Sequence, residues 1–97
     1  MNTANLQLEG VYAVLAALLQ TLRDKSILSD AEIGQMLAEV ERSIASDGGR
    51  PVEVRASNVE AMRFPARFLR HALEASAQGE KPSFAQVVAR IGRERAE

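Results

Sequence analysis

The 97 residues are 46% hydrophobic and 26% charged with a net charge of −1, a mix that suits one globular domain and excludes both a disordered chain and a second full domain. Cysteine is absent, so disulfide frameworks and thiolate chemistry are excluded, and a reducing cytoplasm is the expected setting. Residues 1–50 sum to −3 and residues 51–97 to +2, an imbalance too mild to draw the molecule to nucleic acid or to an anionic membrane.

The first expected element is a long helix over 4–25. Leu8, Tyr12, Leu15, Leu19 and Leu22 recur at 4-3-4-3 spacing, which aligns them on one stripe. Val11, Val14 and Leu18 add a second stripe beside it. The apolar run Val11 to Leu19 is far below the roughly 20 residues needed to cross a bilayer. No Lys or Arg precedes it and Glu9 borders it, so it does not read as an export signal. As the most apolar segment, this helix is expected at the centre of the fold.

Only Ser26 to Leu28 separate it from a second expected helix over 30–47, so the pair predicts an antiparallel αα-hairpin. Ser29 and Glu32 form a capping box, with Leu28 and Ile33 placed as a hydrophobic staple across it. Ile33, Met36, Leu37, Val40 and Ile44 mark its apolar face, and Gly48-Gly49 with Pro51 supply the stop. Val52 and Val54 alternate with Glu53 and Arg55, which suggests a short extended connector without a pairing strand.

Ser57 and Glu60 make a second capping pattern. Pro65 is expected to interrupt the helix that follows, giving segments over 58–63 and 65–78. Met62, Ala66, Leu69 and Leu73 continue one apolar face across it. Gly79 ends the segment, and Ser83 with Gln86 opens a short C-terminal helix over 84–93 that buries Phe84, Val87, Val88 and Ile91. The expected fold is therefore one all-α domain over 1–97: a small bundle of four to five helices, with a long central N-terminal helix, an αα-hairpin, a Pro-interrupted third helix and a short C-terminal helix.

The inventory for chemistry is thin. The chain has one histidine and one tyrosine. Tyr12 lies in the apolar stripe and reads as a core aromatic with its hydroxyl toward the surface. His71 and Glu74 are three apart, but the order reverses the Glu-x-x-His pairs of metal-binding bundles and occurs once. No glycine-rich phosphate loop is present. The reading is of no catalytic residue, no metal and no cofactor. Glu39, Glu41 and Glu74 read as solvated helix positions, Glu74 being placed to pair with Arg70.

Two sets of residues remain as candidates. Arg63, Arg67 and Arg70 recur at 4 and 3 residues with His71 at their border, a basic ridge fit for a protein partner or, less readily, for phosphates. Leu8, Val11, Tyr12, Leu15, Leu18, Leu19 and Leu22 form an apolar arc wider than three short helices easily cover. A second copy would cover it. The leading expectation is thus a non-enzymatic, self-associating interaction module, a homodimer, with no membrane attachment. The alternative is a small regulatory nucleic-acid binder using the Arg63/Arg67/Arg70 ridge.

Overall fold

A computed structural model describes residues 3–46 and 56–96, which form four α-helices: α1 (Thr3–Asp24), α2 (Asp30–Ala45), α3 (Ala56–Ala77) and α4 (Phe84–Ala96). No strand occurs among the described residues. The all-α bundle is as the periodicity predicts. Gly48-Gly49 and the expected connector, with Val52 and Val54, lie outside the described residues.

Local chemistry sets most of the helix ends. The Ser29 hydroxyl accepts the Glu32 amide at 3.0 Å, and the Ser29 amide donates to Glu32 Oε1 at 2.9 Å. Ser83 and Gln86 repeat this exchange at 3.2 and 2.8 Å. Two of the free amides at each helix start are thereby satisfied. Leu28 and Ile33 both join the core, as the staple requires. The expected cap at Ser57 instead falls inside α3, which starts at Ala56. Helix α4 runs on to Ala96, beyond the expected end at 93.

Two helices end in the same left-handed turn. After α1, the Ser26 amide donates to the Arg23 carbonyl and the Ile27 amide to that of Leu22. After α3, the Gly79 amide donates to Ser76 and the Glu80 amide to Ala75. These are paired Schellman closures, and each puts its first turn residue at positive φ, 60° for Ser26 and 79° for Gly79. Gly79 adopts that conformation freely, whereas Ser26 carries a Cβ that opposes it. Ser26→Gly is therefore expected to stabilise the fold by about 0.5–1 kcal/mol, since relief of the strain outweighs the added freedom of the unfolded chain. Thermal melting followed by circular dichroism should rise by about 4 °C. An unchanged or lower midpoint would contradict this account of the turn.

Helix α3 is the hub. It packs most extensively on α2 and also carries α1 and α4. Ile33 and Leu37 of α2, Leu19 of α1, and Val87 and Ile91 of α4 converge on Ala66, Phe68, Leu69 and Leu73 of α3. This corrects two expectations. Helix α1 is not central, because Leu19 is its one buried residue. Nor do α1 and α2 pack as a hairpin: they are consecutive but scarcely touch, each laying its stripe on α3. Burial follows from how many neighbours a helix has, and α3 has three.

Pro65 lies within an unbroken α3, correcting the expected interruption between 63 and 65. Proline removes the amide that would bond to the carbonyl of Ala61. Ala61 is exposed, so water can take that carbonyl. Side chains tie the helix down on both sides of Pro65. Phe64 and Phe68 share an aromatic cluster, while Arg63 and Arg67 reach the same two carboxylates.

All four aromatic residues of the chain meet in that cluster. Tyr12 stacks on Phe68 at 5.1 Å between centroids, Phe68 meets Phe84 at 4.9 Å, and Phe64 lies 6.1 Å from Tyr12. The cluster joins α1, α3 and α4, and such pairs add about 0.5–1.5 kcal/mol each beyond their area.

Candidate functional site

The two candidate sets have opposite fates in the folded chain. The Arg63–Arg67–Arg70 ridge does not stand free on the surface. It faces α2, where Ile33, Leu37 and Glu41 follow one another at four-residue steps and are all buried. Glu41 therefore sits on the apolar stripe of α2, which corrects the reading of it as a solvated carboxylate. Its Oε1 accepts from Arg67 Nε at 2.8 Å and lies 3.7 Å from Arg63; its Oε2 lies 3.5 Å from Arg70.

A second ring of carboxylates completes the charge balance. Glu60 accepts from Arg67 at 2.6 Å and from Arg63 at 3.1 Å. Glu94 of α4 pairs with Arg70 at 3.4 Å and with His71. His71 is thus a half-buried strut between α3 and α4 rather than an open surface group. The expected Arg70–Glu74 pair does not form, because Arg70 turns to Glu41 and Glu94 instead. Burial weakens the charged form of Arg67, but its hydrogen bonds to Glu41 and Glu60 more than offset this and hold its pKa above the ordinary value. Burial likewise opposes ionisation of Glu94, but His71 and Arg70 outweigh it and lower its pKa. Three guanidiniums matched by three carboxylates leave little net charge with which to grip phosphates.

The apolar arc on α1 divides. Tyr12 and Leu19 turn inward onto α3, with Ala16 packed between them, and Leu22 is half-buried. Leu8, Val11, Leu15 and Leu18 remain exposed, as do the neighbouring Leu6 and Val14. Two apolar stripes thus share one helix: 12-16-19 inward, and 8-11-15-18 outward, roughly 90° round the axis. Among positions 3–22 the only Asp, Glu, Lys or Arg is Glu9. Val14 is 68% exposed and Leu18 52%, values at which a single chain leaves long aliphatic side chains in water.

Apolar exposure is less continuous elsewhere. Met36 and Val40 on α2, Met62 on α3 and Val88 on α4 were expected to face inward but are exposed. On α2 the buried stripe runs through Glu41 rather than through Met36 and Val40. On the α1–α2 turn, Ile27 is 61% exposed. At the N-terminal end of the α1 stripe, Leu6, Leu8, Glu9, Tyr12, Phe64 and Phe84 line a groove of about 490 Å³. A smaller cleft of about 230 Å³ lies between α2 and α3, floored by Ile33, Leu37 and Leu73 and rimmed by Asp30, Arg70 and Glu74. It falls below the volume of a typical small-molecule site.

Among the described residues, no helix is long and apolar enough to cross a membrane, and no cluster of three metal-ligating side chains occurs. No family model matches the chain, and no match is found among curated proteins or solved structures.

Proposed function

We propose that this protein is a non-enzymatic interaction module that associates with a second copy of itself through the outer stripe of α1. The observation that carries the reading is the exposed Leu8–Val11–Leu15–Leu18 series. Its 3-4 spacing is the a/d pattern by which one helix packs knobs into holes of another. A second copy is favoured over a lipid surface by charge. Helices that lie on membranes carry Lys and Arg on their polar face, and α1 has neither before Arg23. A second copy is also not repelled, since the stripe itself carries no charged residue. The nucleic-acid alternative loses its footing because the arginines it needs are already matched by Glu41, Glu60 and Glu94.

Sedimentation or light scattering across a dilution series tests the reading. The expected species at tens of micromolar has twice the 10.6 kDa mass of one chain and dissociates on dilution. A mass of one chain at every concentration would overturn the proposal.

A further inference from the structure

Resting on the self-association proposed above, we infer that the pairing face extends beyond α1. Met36 and Val40 of α2 belong to it, with Met62 of α3 at one end, and a second copy covers the whole with the same face of its own. The starting point is where α1 and α2 sit on α3. Tyr12 of α1 stacks on Phe68 and Arg23 bonds to Ser76, so α1 lies over the 68–76 side of α3. Helix α2 lies over Ala66, Arg70 and Leu73, through its core residues Ile33 and Leu37 and through Glu41. At 100° per residue these two sides of α3 are roughly 130° apart, and Met62 and Leu69 fall between them. Leu69 is buried there, whereas Met62, two turns earlier, is exposed. The two helices thus border one shallow gap with an apolar floor.

The exposed stripe of α1 lies on the gap side. Helix α4 occupies the other side of α1, where Phe84 meets Tyr12 and where Gln20 lines a cleft with the Gly79–Pro82 loop. The 8-11-15-18 stripe is roughly 90° round from the inward face in the opposite sense to Gln20, which turns it toward α2. The same reasoning holds on α2. Its bonds from Glu41 to the arginines mark the flank away from α1. Met36 and Val40 lie roughly 80° round from the buried Ile33–Leu37–Glu41 stripe, on the opposite flank and toward α1.

Leu8, Val11, Leu15 and Leu18 on one bank and Met36 and Val40 on the other are all exposed, although α1 and α2 scarcely touch. One face therefore accounts for the stripe of α1 and for three apolar residues that a core would have taken up. A second copy fits it for two reasons. The face is continuous with the stripe through which copies associate, and it carries no Asp, Glu, Lys or Arg, so two such faces meet without repulsion. A surface complementary to itself is what a twofold pair requires. The aromatic groove at Tyr12, Phe64 and Phe84 lies on the α4 side and stays clear of the pairing.

Substitution on α2 tests the inference in the full chain. Val40→Glu should raise the dissociation constant roughly a hundredfold or more, because pairing would bury the carboxylate twice without a partner. In the single chain Val40 already meets water, so helicity at 222 nm and the melting midpoint of the dilute protein should hold. Met36→Ala/Val40→Ala removes apolar area without adding charge, and should weaken pairing about tenfold. Leu6→Glu is the control. Leu6 is equally exposed but lies on α1 roughly 160° round from the stripe, and its variant should pair within about twofold of the unmodified chain. Methyl-labelled methionine gives an independent reading: the Met36 signal should lose access to a soluble paramagnetic agent as the protein is concentrated.

A Met36→Ala/Val40→Ala chain that pairs as tightly as the unmodified one would confine the interface to α1 and overturn the inference, even if Val40→Glu failed to fold. So would a Met36 methyl that stays accessible in the dimer, or a Leu6→Glu chain that dissociates. Failure of self-association itself is distinct, since it would appear as a monomeric unmodified chain.

Discussion

Glu41→Leu, made alone, is expected to lower stability by about 3–5 kcal/mol, which corresponds to a fall in the thermal midpoint of at least about 15 °C. A domain of this size has only about 5–15 kcal/mol in total, so the loss is a large share of it. The cost comes less from the missing attraction than from what is left behind. The Arg67 side chain is 13% exposed and loses its 2.8 Å partner, and Arg63 and Arg70 lose a shared neighbour. Adding Arg67→Met should recover most of the loss, because a buried ion pair replaced whole by apolar groups of similar size is often neutral. Melting curves for the two single variants and the double variant give the coupling directly. A Glu41→Leu midpoint within about 3 °C of the unmodified chain would show that the cluster is solvated and contributes little.

Leu18→Glu is expected to act on association and leave the fold intact. Leu18 is half exposed in the single chain, so the carboxylate meets water there at little cost. In the paired state it would be buried twice against apolar side chains, without a hydrogen-bond partner. The dissociation constant should rise by roughly a thousandfold or more, giving a monomer at tens of micromolar. Sedimentation reads the mass, and the melting midpoint of the dilute protein reads the fold. A Leu18→Glu protein that stays dimeric would move the interface off α1. A protein that is monomeric but unfolded would show that Leu18 belongs to the core.

Much of this architecture is legible in the amino-acid order, for local reasons. Ser29 with Glu32 and Ser83 with Gln86 are capping chemistry confined to four residues, and both form as read. Gly79 stops α3 for the same local reason. What could not be read locally depends on residues far apart in the chain. Glu41 looks solvated beside Val40 and Arg42, and only its eight-residue distance from Ile33 hints that it lies on the buried stripe. Its partner Arg67 is 26 positions away, so the arginine spacing announced a ridge without saying that it faces inward. The apolarity of α1 likewise suggested a central helix, yet its surplus marks an uncovered face. Pro65 follows the same lesson: its cost is local, but the ties that carry α3 through it come from α1, α2 and α4.

Because α1 and α2 meet chiefly through α3, the molecule has two largely independent sides. Substitutions on the outer stripe of α1 and substitutions around Glu41 share few neighbours, and effects at sites without shared partners generally add. The surface by which copies recognise one another can therefore change by single steps without drawing on the ion pairs that lock α2 to α3. A lineage of such chains could diversify its pairing preference while keeping the same scaffold.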